Sequence, residues 1–199
     1  MNLLQACTII ENARKDAILV ATMGAMFAFD GIKAAQPRIS SVPLMGGAAS
    51  LGLGLAIAEP SRTIIVVDGD ASLLMQLGGL TTVADRQPVN FVHFVVRNGA
   101  QFSGVANLAT PADACVDYAG LAAAAGYRRT YRFENETALA AHIEEVLGCV
   151  GPTFVELRVV TPPPIPGAPM KMEIPDLQFQ RMGMEARTLS AWLKDHAHG

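Results

Sequence analysis

Apolar residues in this chain gather in short runs of strand length, set apart by longer stretches with helical spacing or many small residues. Residues 17–21 (Ala-Ile-Leu-Val-Ala), 63–67 and 91–96 are such runs. They lack the polar alternation of a half-exposed strand, the pattern expected of strands covered on both faces. Residues 128–133 and 153–159 supply two more strands. Helices are predicted over 2–15, 46–58, 72–84, 116–125, 137–147 and 176–194, the last containing Trp192. Glu59-Pro60-Ser61-Arg62, Arg86-Gln87-Pro88 and Gly126 provide stops. Small residues recur at helical spacing in 46–58, which lets that helix approach a sheet or a partner closely. Residues 97–114 read as a long irregular stretch.

Strands alternating with helices over this length pair in parallel through right-handed crossovers. The predicted fold class is α/β, a doubly wound, mostly parallel sheet with helices on both faces. Residues 161–169 hold five prolines, cannot continue a sheet, and are expected to be extended. The chain is thus divided into a domain over 1–160 and a proline-rich arm with a C-terminal helix over 161–199. This tail is expected to lie on a neighbouring subunit; in the competing arrangement its helix packs on its own domain.

A length of 199 residues fits one sizeable α/β domain. The apolar fraction of 51% and mean hydropathy of +0.31 are high for a soluble monomer, yet no apolar run reaches a membrane span. Apolar surface buried against other subunits accounts for both. A net charge of −3 with no basic stripe argues against nucleic acid as a partner. Residues 1–10 lack the charged start and cleavage site of a signal peptide, so a cytoplasmic location is expected. Cys7, Cys115 and Cys149 are odd in number and widely spaced, which disfavours a disulfide framework, a structural zinc or an iron–sulfur cluster. The histidines form no ligand spacing: His93 is expected to be a satisfied core residue, and His196 and His198 to sit in a frayed tail.

The candidate chemistry lies in Val66-Val67-Asp68-Gly69-Asp70 and Val95-Val96-Arg97-Asn98-Gly99. Each is a strand run ending in a glycine-containing turn that places one oxygen-bearing side chain, Asp70 or Asn98, beyond a carboxyl end. Ligands of open α/β sheets bind in the crevice outside such ends. A carboxylate, an amide oxygen and nearby carbonyls suit a hard divalent cation that keeps part of its shell for phosphate oxygens. Asp70 also suits capping of the following helix, and Asn98-Gly99 is a common turn dipeptide. The matched placement of the two favours the metal.

Gly69-Asp70-Ala71, with Asn98 twenty-eight residues after Asp70, resembles the Gly-Asp-Gly…Asn-Asn signature of thiamine-diphosphate (ThDP) enzymes. Upstream, Met45-Gly46-Gly47-Ala48-Ala49-Ser50-Leu51-Gly52-Leu53-Gly54-Leu55-Ala56, then Ala58-Glu59-Pro60, is similar to the segment preceding that signature in 2-oxoacid decarboxylases. The likeness is greatest to the diphosphate-binding half of sulfopyruvate and phosphonopyruvate decarboxylases, and it runs from about residue 16 to about residue 160. It implies Mg2+ held by Asp70, the Asn98 side-chain oxygen and the Ala100 carbonyl. It implies a diphosphate received by Gly69, Asp70, Ala71 and Ser72 at a helix start. Met45, followed by Gly46, corresponds to the bulky residue that keeps the cofactor bent. Thr22 and Gly24 belong to a loop that meets the aminopyrimidine, while Gln101 and Phe102 follow the metal loop near the substrate.

Several positions depart from the family pattern. Ala71 stands where glycine is usual and disfavours positive φ. Arg97 replaces an Asn or Asp; its charge would meet the cofactor phosphate or a substrate acid, or else remain solvated. Ser103-Gly104-Val105-Ala106 replaces Thr-Gly-Gly-Gln, so those residues are given no catalytic role. Ala25-Met26-Phe27-Ala28-Phe29 is apolar where charged residues are usual, which suits a less polar 2-oxoacid.

The resemblance also implies a catalytic glutamate from a separate pyrimidine-binding domain, and Glu11, Glu59, Glu134 and Glu136 lie in contexts unlike its motif. The chain is expected to be the ThDP- and Mg2+-binding subunit of a split 2-oxoacid decarboxylase, inactive without a pyrimidine-binding (alpha) subunit. Assembly as a hetero-oligomer such as alpha2beta2 or larger is expected. Half of an acetolactate-synthase-like carboligase, or a non-catalytic scaffold that has lost the cofactor, remain as alternatives.

Overall fold

The computed structural model describes residues 1–42, 44–164 and 175–196. The first helix, α1 (Leu3–Ala13), opens on a capping box: the Asn2 side chain accepts the Gln5 N–H, and the Gln5 side chain accepts the Asn2 N–H, both at 2.8 Å. Then follow β1 (Ile18–Ala21), α2 (Met23–Gly31), β2 (Arg38–Ser40), α3 (Ala48–Ala58), β3 (Ile64–Gly69), α4 (Asp70–Met75), α5 (Gly79–Arg86) and β4 (Phe91–Arg97). The second half comprises β5 (Ala100–Gln101), β6 (Leu108–Ala109), α6 (Tyr118–Ala125), β7 (Arg129–Phe133), α7 (Glu136–Gly148), β8 (Thr153–Arg158) and α8 (Pro175–Asp195).

Six strands make one parallel sheet in the order β2-β1-β3-β4-β8-β7, and β5 with β6 forms a small antiparallel hairpin. Leu19, Ala21, Ile65, Val67, Phe94 and Val96 face one buried layer with α1, α2 and α7. Ile18, Val20, Ile64, Val66, Val95 and Phe154 face the other, with α3, α5 and α6. Burial on both faces is why the strands show as unbroken apolar runs. Strand order reverses at β1, with β2 on one side and β3 on the other. Loops leaving the carboxyl ends diverge there and open a crevice, as in other doubly wound sheets.

Helix 72–84 of the sequence reading is two helices, α4 and α5. Gly78 and Gly79 lie at the break, where a continuous helix would cost about 1 kcal/mol per glycine relative to alanine. Neither α2 nor β2 was foreseen. The first is apolar along most of its length and so carries no helical period, and the second has only three residues. Thr22-Met23-Gly24 is not a loop: Met23 and Gly24 open α2.

The last helix packs on its own domain, the second of the two arrangements considered for the tail. Arg181 donates to both Asp30 oxygens at 2.8 and 2.9 Å, and Glu185 accepts the Ser40 N–H at 2.6 Å. The helix thus satisfies a backbone donor of β2, the edge strand, that a neighbouring chain would otherwise pair. Leu189 is buried against the α3–α5–α6 side of the core. His196 is not frayed: it stacks on Trp192 at 4.0 Å between ring centroids, while Arg62 lies 4.9 Å over the indole. His198 and the proline-rich run beyond residue 164 lie outside the described residues. Among the described residues no helix is long and apolar enough to cross a membrane.

Candidate cofactor site at the strand ends

Gly69 and Val96 stand opposite each other in the β3–β4 register, so residues 70 and 97–99 leave the sheet side by side. Gly69 is the N-cap of α4, in an extended conformation (φ −114°, ψ 155°), and Asp70 is the first helical residue. Asp70 is therefore not the capping side chain. Its Oδ2 accepts the backbone N–H groups of Asn98 at 3.1 Å and Gly99 at 2.7 Å, and its Oδ1 accepts that of Ala71 at 2.8 Å. Asn98 Oδ1 accepts the Ala100 N–H at 3.0 Å. The predicted ligands Asn98 and Ala100 thus share one turn, and Asp70 reaches it from the start of α4.

Asp70 is 2% exposed. Burial raises its carboxyl above the ordinary aspartate range; the N–H groups of Gly99, Ala71 and Asn98 oppose that rise, and the Asp113 charge adds to it. Its hydrogen bonds come from neutral donors, so among the described residues the buried charge lacks a counter-charge. A divalent cation on the remaining lone pairs would supply one. Among the described residues no group of three or more His, Cys, Asp or Glu could hold a metal. One carboxylate with neutral amide and carbonyl oxygens is a hard donor set that leaves coordination positions for phosphate. The residues present therefore fit Mg2+ with a diphosphate.

The surrounding wall is built from small residues and backbone. A side chain at Gly69 would meet nothing within 4 Å, so the backbone there borders open space. Ala71 sits in the first turn of α4 without positive φ, so its methyl adds no backbone strain. Ser72 Oγ accepts the Gly46 N–H at 2.8 Å, tying the Met45-Gly46 turn to α4 and leaving its own proton free to donate. Gly46 has φ +82°, and a Cβ there would lie 2.8 Å from Gln76 Cβ, so only glycine fits. Thr22 lies at the end of β1 with its hydroxyl on the Ser41 carbonyl at 3.0 Å. Gln101 ends β5, and Phe102 beyond it is exposed.

Thr22, Met45, Gly46, Gly69 to Ser72 and Asn98 to Phe102 all belong to the carboxyl-end side of β1 to β4. Gly24 lies in the first turn of α2, against α1. A Cβ there would meet Leu3 Cδ2 at 3.3 Å, so its smallness serves the α1–α2 contact. Ala25, Met26 and Phe29 are core residues of α2. Packing explains the apolar character of these three, while Phe27 between them is exposed.

Arg97 is neither solvated nor free to meet a phosphate. It is 7% exposed; Nη1 donates to Glu156 at 2.9 Å, Nε to the Asp113 carboxylate at 3.4 Å, and Nη2 to the Asp113 carbonyl. Glu156, fully buried, also accepts from Arg132 at 3.2 Å. The sequence reading missed Glu156, although a lone acid in the apolar run 153–157 was a usable signal. Tyr118 is fully buried, and among the described residues its hydroxyl has no hydrogen-bond partner. Burial first, and then the charge of Asp70, push its phenol up to about 12. His93 is buried but only half satisfied: Nδ1 lies 3.2 Å from the Tyr127 hydroxyl, while Nε2 is 3.6 Å from Asp68 and unbonded.

Comparison with known proteins bears on this geometry. Residues 32–157 match the family model described as thiamine pyrophosphate enzyme, C-terminal TPP binding domain. A phosphonopyruvate decarboxylase of Streptomyces viridochromogenes is 36% identical over 151 residues, which are 73% of this chain and 36% of that protein. The sulfopyruvate decarboxylase subunit beta of Methanothermobacter thermautotrophicus is 35% identical over 115 residues, 58% of each chain. The chain thus spans between about a third and three-fifths of these relatives. The solved ThDP-dependent 4-hydroxybenzoylformate decarboxylase of Rhodococcus jostii RHA1 shares the fold, with a TM-score of 0.67 at 19% identity over 81% of this chain and 33% of that one. With the matched region running from just after α2 through most of β8, this chain belongs to the thiamine pyrophosphate enzyme family and carries its C-terminal TPP-binding domain.

Proposed function

We propose that the chain is the ThDP- and Mg2+-binding half of a 2-oxoacid decarboxylase that works only with a pyrimidine-binding partner. The observation that carries this reading is the buried Asp70 carboxylate, without a counter-charge, set against the Asn98-Gly99-Ala100 turn. Asp70, Asn98 Oδ1 and the Ala100 carbonyl would hold the metal. Gly69, Ala71 and Ser72 leave room for a diphosphate, and Met45 and Gly46 lie beside them. Bound ThDP supplies the electron sink for releasing CO2 from a 2-oxoacid. The part of this chain is to bind and orient.

The need for a partner is supported by the glutamates. Glu11 is bonded to Arg14, Glu156 lies in the Arg97 network, and Glu185 holds β2. Phe27, Leu44, Met75 and Phe102 are exposed apolar residues on the elements bordering the crevice, consistent with a covering chain. Two departures that favour a scaffold weaken, since Ala71 is unstrained and Arg97 has a structural task.

The test mixes the purified chain with its partner, ThDP, Mg2+ and a panel of 2-oxoacids, sulfopyruvate and phosphonopyruvate included, and measures CO2. Release from one of them, dependent on both chains, is expected. Failure to consume any 2-oxoacid rejects the reading, and capture of the product by an added carbonyl acceptor marks a carboligase.

A further inference from the structure

We propose that Thr161 is a positioning residue for the metal-holding turn, acting through the peptide unit between Asn98 and Gly99. The proposal deepens the reading of Asp70 as a metal ligand and rests on it. Each peptide unit is planar, with its C=O and N–H on opposite edges. In the unit joining Arg97 to Asn98, the N–H donates to Asp70 Oδ2 at 3.1 Å, and the C=O accepts the Val159 N–H at 3.1 Å. In the next unit, the Gly99 N–H donates to the same oxygen at 2.7 Å, and the Asn98 C=O accepts the Thr161 hydroxyl.

Two consecutive peptide planes are therefore gripped on one edge by Asp70 and on the other by the segment that follows β8. Val159 reaches its plane through backbone, which β8 already sets in register. Thr161 does so by a side chain and is the point where sequence decides the grip. Asn107 Nδ2, donating to the Pro162 carbonyl at 2.9 Å, ties the far side of the same loop to the same segment.

Without the Thr161 hydroxyl, the 98–99 peptide gains freedom to rotate on its carbonyl edge. Rotation swings the Gly99 N–H off Asp70 and moves the Asn98 side chain with it. Asp70 then holds one edge of that plane unopposed, with the Thr110 N–H on the Gly99 carbonyl at 3.0 Å as the next restraint along the chain. Arg97, tied to Asp113, braces the same loop, but its removal leaves the buried Glu156 with only the more exposed Arg132 and Arg158 and threatens the fold. Thr161 is only partly buried and uncharged, so it offers the cleaner substitution.

The experiment titrates the full chain with Mn2+ in excess ThDP, following free Mn2+ by electron paramagnetic resonance, for wild type, Thr161→Val and Thr161→Ser. Partners that orient metal ligands typically contribute 10–100-fold in affinity. Thr161→Val is expected to raise half-saturating Mn2+ on the order of tenfold, with Thr161→Ser restoring it. Cofactor-free melting is expected to be equal in all three. Unchanged Mn2+ affinity in Thr161→Val, failure of serine to rescue, or a melting temperature that falls with affinity overturns the positioning role alone. A wild-type chain that takes up no Mn2+ with ThDP, either alone or assembled with its partner, overturns the functional reading as well.

Discussion

The Asp70 carboxylate accepts the Gly99 N–H at 2.7 Å, joining two loops that lie 29 residues apart in the chain. This bond brings together the ends of β3 and β4, which the sheet register has already made neighbours. It also leaves a buried charge whose partners are all neutral.

Asp70→Asn should weaken metal-dependent ThDP binding more than tenfold, since the charge that attracts the cation is gone. The amide keeps one acceptor, so about 1–3 kcal/mol is lost from the N–H donors it no longer serves. Calorimetric titration checks the first number and urea unfolding the second. Undiminished metal-dependent binding would remove Asp70 from the ligand set.

Gly52→Ala tests the close approach of α3 to the sheet. Its new methyl would lie 2.3 Å from Val66 Cγ2 and 3.1 Å from Phe91 Cε2, so the helix must shift. Overpacking of this kind costs roughly 1–3 kcal/mol. A urea midpoint equal to that of wild type would show that the layer yields more easily than its spacing suggests.

Glu156→Leu should be among the most damaging single changes, because Arg97 is then left buried with only the half-exposed Asp113 for charge. Breaking a buried pair by removing one member costs about 3–5 kcal/mol. The double variant Arg97→Met with Glu156→Leu should recover part of that loss. A double variant no more stable than the single one would mean that packing, rather than the unpaired charge, causes the damage.

Acid should loosen α8. Burial alone would raise the Asp30 carboxyl, but hydrogen bonds and charge from Arg181 and Arg38 outweigh it and hold it below the usual carboxylate range. A depressed folded pKa gives stability that is present above the unfolded value, about 3.9, and lost as pH falls through the folded one. Trp192 emission should therefore be steady near neutrality and change below about pH 4, with Arg181→Met changing at higher pH. An emission profile that is the same in both proteins would separate Asp30 from the docking of α8.

The long apolar strands and the Asp70–Asn98 pair were legible because each depends on local pattern: residues buried on both faces, and side chains at fixed distances from strand ends. The helix α2 was not legible, since Ala25, Met26 and Phe29 are buried on one side while most of their neighbours are apolar too. The contact of Gly24 with Leu3, from a helix about twenty residues earlier, was not legible either. Glu156 and Thr161 act on residues some sixty positions upstream, and no local spacing announces such contacts.

The class of fold, the strands at its centre and the oxygens able to face a cation can be read from residue order alone, because they follow from periodicity and residue chemistry. It took the folded chain to show that Arg97 is locked in an ion-pair network, that α8 returns to the edge strand, and that the segment after β8 holds the turn at Asn98 and Gly99. Those outcomes depend on which distant groups the folded chain brings within hydrogen-bonding reach, and that is set by strand order and register.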